Sequence, residues 1–275
     1  MKVAALQLCA SDDPIANLEV TLSMVHQASD MGAQFIATPE VTNCISSSRR
    51  LQNDVLALQN DDQTLAALRN AANRLGVWIS VGSLALKLPT DDRLTNRSFM
   101  IDPSGQLVAQ YDKIHMFDVK LSETEQYRES DGYRPGDRAV IADTVFGKIG
   151  MTVCYDIRFP HLYRGLAKSG ASILLIPAAF ARPTGRAHWE VLLRARAIET
   201  GCFVIAAAQT GEHQTTEGRL RKTYGHSLIV SPWGEILADA GEDQGIIYAN
   251  LDLSLVESTR ARVPSILSNQ SFSEP

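Results

Sequence analysis

A chain of 275 residues with 45% hydrophobic content is long enough to bury a sizeable core, and a packed domain is expected. The formal net charge of −5, with no dense Lys/Arg run, argues against a nucleic-acid partner, because a phosphate backbone needs a basic face. No window approaches the apolar length of a membrane span, and the four cysteines (Cys9, Cys44, Cys154 and Cys202) lack the spacing of a metal site or a disulfide framework.

Strand-like and helix-like segments then alternate. Residues 2–8 read as a strand; the short apolar run is broken by Gln7 and meets Asp12-Asp13-Pro14, so it is not a secretion signal and a cytoplasmic location is expected. Asp13-Pro14 supplies an N-cap and a proline for a first helical turn, ahead of Ile15, Leu18, Leu22 and Val25 at helical spacing. Residues 34–38 form a short buried strand ending at Pro39-Glu40. Leu65, Leu68, Ala72 and Leu75 mark a second helix, stopped by Gly76 and followed by a strand over 77–84. Residues 97–101 and 107–111, joined through Asp102-Pro103-Ser104-Gly105, form a hairpin. Residues 116–137 are polar, charged and loop-like. The spacing next predicts a strand carrying Ile149, Met151 and Val153, a helix over 160–168 and a buried strand over 172–177. A helix over 188–200, a strand over 202–208, a hairpin around Ser231-Pro232-Trp233-Gly234, a strand over 246–252 and a last short helix complete the series. This order gives one α/β domain over 1–266 with a polar tail at 267–275. Mixed hairpins and strand-helix units predict two packed sheets sandwiched between helices.

Three reactive residues share one placement: Glu40, Lys113 and Cys154 each follow a predicted buried strand. In α/β folds active sites gather at the carboxyl ends of strands, where loops can be shaped without disturbing the core. A cysteine attacks as a thiolate and so needs a base for its proton or a cation for its charge. Glu40 and Lys113 supply one of each. The oxyanion that develops on a carbonyl needs donors, and the Lys113 ammonium with the Tyr155 backbone N–H, after a tight strand-to-helix turn, would provide them. The chain has no G-x-S-x-G elbow, no P-loop and no G-x-G-x-x-G, which removes support for serine hydrolase, NTPase and dinucleotide-binding readings. A cysteine–histidine hydrolase stays open, with His115, His161, His188 or His226 as partner. Cys9, Cys44 and Cys202 have no charged companion and read as structural.

The segments TPE at 38–40, YDKIHMFD at 111–118, GMTVCYDIRFP at 150–160, TGRAHWEVLLRARAIET at 184–200 and YGHSLIVSPWG at 224–234 appear in that order. Through them the chain resembles the Nit branch of the nitrilase superfamily of carbon-nitrogen hydrolases over nearly its full length. The resemblance implies a four-layer α-β-β-α sandwich and a Glu-Lys-Cys triad of Glu40, Lys113 and Cys154. It also implies a second supporting glutamate, carried over to Glu129; from the residues alone Glu129 reads as a solvated charge. The implied reaction is hydrolysis of a small carboxylated amide through a cysteinyl thioester, with ammonia leaving, and it requires no metal or organic cofactor. Deaminated glutathione is the implied substrate; 2-oxoglutaramate and N-carbamoyl amino acids are alternatives, as are an acyl transferase and a catalytically silent binding protein on the same fold.

The family usually has proline where Arg186 stands. Arg186 and Arg182, in a loop after the strand at 172–177, are candidates to grip a substrate carboxylate, or are solvated surface arginines. Thr184 and His188 are family-like positions and join Tyr155 as candidate substrate contacts. Trp189 lies on a core stripe and reads as structural. The loop over 213–222 looks longer than the family's and adds Arg219, Arg221 and Lys222 near the expected pocket rim. The resemblance also implies a homodimer or larger even-numbered oligomer formed through outer helices, with no nucleic-acid or membrane partner.

Overall fold

The computed structural model describes residues 1–120, 123, 126–268, 270, 271 and 273. Parts of the tail expected at 267–275 and of the loop expected at 116–137 fall outside those residues.

The first half runs β1 (Lys2–Gln7), α1 (Pro14–Asp30), β2 (Phe35–Ala37), α2 (Arg49–Val55), α3 (Gln63–Leu75), β3 (Trp78–Lys87), β4 (Leu94–Ile101) and β5 (Leu107–Asp112). A small ribbon of β6 (Asp118–Lys120) and β7 (Gln126–Arg128) and a single turn, α4 (Glu129–Gly132), lead to the second half. There follow β8 (Val140–Thr144), β9 (Gly147–Met151), α5 (Pro160–Lys168), β10 (Ile173–Leu175), α6 (Arg182–Thr200) and β11 (Phe203–Ala206). A second ribbon of β12 (Thr210–His213) and β13 (Arg221–Tyr224), then β14 (Leu228–Val230), β15 (Ile236–Asp239), β16 (Gly245–Asn250) and α7 (Ser254–Arg262) complete the chain.

Local chemistry sets the helix ends. Asp13 accepts hydrogen bonds from the backbone of Ile15 and Ala16, with Pro14 in the first turn, and so starts α1 where the sequence predicts it. Asp62 caps α3 through the Leu65 N–H, and Gly76 ends that helix in the left-handed conformation at φ 66°.

Two six-stranded sheets result, ordered β16-β1-β2-β3-β4-β5 and β15-β14-β11-β10-β9-β8. On β1, Ala4 and Leu6 pack with Val25 of α1 and Leu68 of α3, while Val3 and Ala5 pack against the second sheet's Ile149 and Leu175. Both faces of the central strands are therefore buried, and these strands read as continuous apolar runs without alternation. Each fully buried Leu, Ile, Val or Phe contributes roughly 1.5–3 kcal/mol, so the layered core carries the fold. This is the expected α-β-β-α sandwich. No helix among the described residues is long and apolar enough to cross a membrane.

The topology also collects strand ends. β2 runs parallel to β3, and β4 is antiparallel to both β3 and β5, so β2 and β5 end at the same edge of the first sheet. Several boundaries differ from the sequence expectation. β9 stops at Met151, leaving Val153 in the following turn, and β8 and the β6–β7 ribbon had no distinct signal. α6 begins at Arg182, so Arg182, Thr184 and Arg186 are helical and not in a loop.

Candidate active site

Glu40 leaves the end of β2 along a path dictated by a bulge in β3, whose register shifts between Val81 and Leu84. Gly82 sits in that bulge. A Cβ there would lie 2.0 Å from the Thr38 carbonyl oxygen and 2.5 Å from that of Pro39, so only glycine permits this backbone approach. The adjoining Ser83 donates its N–H to the Pro39 carbonyl at 3.2 Å, and its Oγ accepts the Val41 N–H at 2.8 Å. Val41 itself is left-handed, at φ 46°. Gln209 adds a hydrogen bond to the Glu40 carbonyl. The turn is thus held on both sides, and the Glu40 carboxylate points inward.

Lys113 follows β5 directly and is almost completely buried. Its ammonium donates to Glu40 Oε1 at 2.9 Å and to both oxygens of Glu129 at 2.9 and 2.8 Å. Glu129 opens α4 and also accepts the Phe117 N–H at 2.6 Å. Asn96 of β4 donates from Nδ2 to Glu40 Oε1 at 2.8 Å and to Glu129 Oε1 at 3.4 Å. The second Glu40 oxygen accepts the Ala179 N–H at 2.7 Å, which ties the glutamate of the first sheet to the segment that follows β10 in the second.

Cys154 begins the 3-10 turn Cys154–Arg158 after β9 and is left-handed, at φ 50°. For a residue with a Cβ this conformation costs roughly 1–2 kcal/mol, so the surrounding contacts must impose it. They do so at two points. The Cys154 N–H reaches the Pro177 carbonyl at 2.9 Å, and Asp156, fully buried, accepts the Val153 N–H at 2.8 Å. Asp156 further accepts from Tyr111 Oη at 2.6 Å and from the His115 backbone N–H at 3.0 Å. One carboxylate therefore fixes the cysteine turn to the segment that carries Lys113.

The electrostatics follow from burial and these charges. Burial works to raise the Glu40 carboxyl, but the Lys113 ammonium, and beyond it the Arg221 guanidinium, hold it well below the usual carboxylate range. Burial opposes the Lys113 charge, yet Glu129 and Glu40 keep its pKa well above the ordinary lysine value. Burial and then the Glu40 charge push the Cys154 thiol up, with Lys113 pulling against them. The resting site is a protonated thiol facing a carboxylate that is itself paired with a fixed ammonium.

These groups form the floor of a cavity of roughly 290 Å³. Its walls include Phe117, Tyr133, Tyr155 and Phe180, and its rim carries Arg49, Arg128, Arg219 and Arg221. Glu40, Lys113, Cys154, Glu129 and Tyr155 meet there. Arg182, Thr184, Arg186 and His188 do not: they occupy the first two turns of α6, outside the cavity wall. Thr184 Oγ1 bonds back to the Ala181 carbonyl, and His188 faces Arg158. The cationic rim comes instead from the β12–β13 ribbon, the end of β7 and the start of α2. No histidine lines the cavity, and His115 is held by Asp156 and stacked on Phe159, so the cysteine–histidine alternative finds no partner. Trp189 is buried, with its indole N–H on the His226 carbonyl, as expected of a core residue. Asn96 and Arg49 had been missed. An asparagine inside a strand, where that residue type is depleted, was the available signal for the first; Arg49 had none. Among the described residues no group of three or more His, Cys, Asp and Glu is placed to hold a metal ion.

Known proteins share this chain's sequence pattern and fold. The carbon-nitrogen hydrolase family profile matches residues 2–261. The chain is 39% identical to a deaminated glutathione amidase of Yersinia enterocolitica over 98% of this chain and 92% of that one. It is 36% identical to a deaminated glutathione amidase of Synechocystis over 96% of each. Among solved structures, the Caenorhabditis elegans NitFhit protein superposes with a TM-score of 0.90 at 35% identity, over 98% of this chain and 64% of that one. Saccharomyces cerevisiae Nit3, a member of branch 10 of the nitrilase superfamily, gives 0.85 at 31% identity, over 96% and 94%.

Proposed function

The chain belongs to the carbon-nitrogen hydrolase family, and from that premise we propose that it is a thiol amidohydrolase whose substrate is deaminated glutathione. The observation that carries the chemistry is the buried cluster of Glu40, Lys113 and Glu129 around the Cys154 thiol at the floor of an arginine-rimmed cavity.

Glu40 takes the thiol proton on its Cys154-facing side as sulfur bonds to the amide carbon and the carbonyl electron pair moves to oxygen. The Lys113 ammonium and the Tyr155 backbone N–H stabilise that oxyanion. Collapse breaks the C–N bond, and the Glu40 proton goes to the leaving nitrogen. Water then gives its proton to Glu40 and its oxygen to the thioester carbon; the C–S bond breaks and the sulfur recovers the proton. Glu129 keeps Lys113 charged and in place throughout. The leaving group depends on the amide: ammonia from a primary amide, but the amine of cysteinylglycine from the γ-amide of deaminated glutathione.

Five cations and two carboxylates line the cavity. That imbalance favours an anionic substrate, and deaminated glutathione carries a carboxylate at each end, one on the 2-oxo acid and one on glycine. Guanidinium groups bind such carboxylates in a fork geometry.

The test is product formation from deaminated glutathione, 2-oxoglutaramate and an N-carbamoyl amino acid, with Cys154→Ala as control. Equal release of 2-oxoglutarate and cysteinylglycine from the first, at a kcat/KM well above the other two, is the expected result. Preference for 2-oxoglutaramate would reassign the substrate, and a requirement for added amine would make the enzyme a transferase. The proposal includes a cytoplasmic location and a homodimer or larger even-numbered oligomer, which the exposed Val191 and Ile198 on the outer face of α6 favour. A monomer by light scattering at micromolar concentration would remove the oligomer from it.

A further inference from the structure

Asn96 makes a set of contacts that an ordinary core asparagine does not. Its backbone carbonyl accepts the Lys113 N–H at 3.0 Å, while its side chain reaches both Glu40 and Glu129. It therefore touches every charged member of the cluster. It is also 2% exposed, and its Oδ1 is buried without a hydrogen-bond partner.

The orphaned oxygen decides how the side chain is read. A buried amide that serves only packing is expected to satisfy both ends, because an unpaired acceptor is costly. Turning the amide over would not help: Oδ1 would then face two ionised carboxylates, and Nδ2 would lose both acceptors. The site thus keeps the donor end on the carboxylates and leaves the acceptor end unpaired.

The cluster explains the need for such a donor. Two carboxylates share one ammonium, and close carboxylates with too little compensation trap a proton between them. A further lysine or arginine would neutralise the pair but would compete for the Glu40 proton acceptor. An amide N–H favours the ionised form of both carboxylates without adding charge, and it does not titrate. With Asn96 and Lys113 on Oε1 and the Ala179 N–H on Oε2, the remaining capacity of Oε2 is fixed in direction.

We propose that Asn96 is a positioning residue for the hydrolysis: its Nδ2 locks Glu40 so that one oxygen is held for the Cys154 proton, and it keeps Glu40 and Glu129 from sharing a proton. The proposal rests on Glu40 being the base in the mechanism above. The charged and titratable groups that face Glu40 are Lys113 after β5, Glu129 of α4, Arg221 of β13 and the Cys154 thiol, with Tyr133 beyond Glu129.

The experiment compares wild type with Asn96→Leu, which keeps the γ-branched shape and removes the donor, and Asn96→Asp, which places a third carboxylate beside Glu40 and Glu129. Three readouts are taken: thermal unfolding, pH profiles of kcat and KM, and the pH dependence of Cys154 alkylation by iodoacetamide, followed by mass on the Cys154 peptide. Asn96→Leu is expected to unfold somewhat below the wild-type temperature at neutral pH, because Glu40 and Glu129 lose a donor, while remaining fully folded at assay temperature. Its kcat should fall about a hundredfold, the loss seen when one preorganised donor is removed, with KM nearly unchanged. The acid limb of its activity and of its alkylation should move to higher pH, because the donor favoured the carboxylate form of Glu40. Asn96→Asp should shift that limb further. Wild-type kcat and an unmoved acid limb in Asn96→Leu would overturn the proposal, as would a loss of activity that only tracks loss of fold. Alkylation needs no substrate, so an unshifted alkylation profile refutes the role of Asn96 even if deaminated glutathione proves to be the wrong amide. A shifted profile without turnover refutes the substrate alone.

Discussion

The floor and the rim of the cavity are built in opposite ways. On the floor the charges are paired and dry: the Lys113 side chain is 2% exposed and that of Glu40 4%, and every bond between them is made by residues at strand ends or in clamped turns. At the rim the arginines sit on a short helix and two two-stranded ribbons, half-buried or exposed. Arg128 pairs with Asp131 at the surface, Arg221 is spent partly on the Ala179 carbonyl, and the Arg219 side chain meets no carboxylate among the described residues. A paired, buried charge fixes geometry for a reaction; an unpaired charge at a mouth waits for one. Substitutions on the floor should therefore act on kcat, and those at the rim on KM.

The most severe break in this contrast is Lys113→Met. Turnover should drop by about 10⁴-fold or more, as when one member of a catalytic unit is removed. The variant also takes the shared ammonium from the buried Glu40 and the partly buried Glu129, a change that costs about 3–5 kcal/mol. Their protonation then reverses the pH dependence of folding. In the wild type the depressed Glu40 pKa gives stability that is present above the unfolded carboxylate value and is lost as pH falls through the folded value. Without Lys113, burial raises Glu40, so stability is present at low pH and is lost as pH rises. Urea unfolding at a series of pH values between the carboxylate range and neutrality checks the opposite slopes; parallel slopes would mean that Lys113 does not hold Glu40 ionised.

Gly82→Ala comes next, because it moves the floor without touching a reactive group. The new methyl meets two backbone oxygens of the Glu40 turn, and backbone cannot rotate away. Overpacking of this kind costs about 1–3 kcal/mol. A displacement of Glu40 by about 1 Å should lower kcat roughly a hundredfold. A crystal structure of the variant should show the turn at 38–42 shifted and the Lys113–Glu129 pair unchanged.

How far the sequence reveals this contrast depends on what fixes each region. Glu40, Lys113 and Cys154 were legible because short apolar runs end beside them and the carboxyl edge of a buried strand is set by hydrophobic pattern. Asp13, Pro14 and Gly76 fixed helix ends through chemistry local to a few residues. The role of Gly82 was not legible: it depends on which carbonyl crosses the strand, a tertiary fact. The β6–β7 ribbon has three-residue strands, too short for any period. The start of α6 lies earlier than apolar spacing alone predicts, because Pro183 in its first turn is an N-terminal helix signal that resembles a loop signal. That one boundary moved the expected carboxylate grip from the ribbon to α6.

A smaller effect tests the rim. Arg219→Gln should raise KM for deaminated glutathione about tenfold, the worth of one charge-assisted contact in partly screened surroundings, with kcat nearly unchanged. The penalty should shrink as salt is added, and it should be absent for a neutral amide. A loss confined to kcat would place Arg219 with the floor.

The smallest expected effect bounds the rim from outside. Arg182 and Arg186 carry the same guanidinium groups as Arg219 and Arg221, but they lie on the far side of the β12–β13 ribbon, where Arg182 acts on the charge of Glu212 and Arg186 on Tyr224. Gly185 between them is packed against the Tyr224 ring, which keeps this turn of α6 pressed on the outer surface of β13. The double variant Arg182→Ala/Arg186→Ala should therefore change both kcat and KM less than about twofold, as surface substitutions away from a site do. A KM that rose as far as for Arg219→Gln would mean that the substrate crosses the ribbon in the bound state, and the ribbon would then have to open for it.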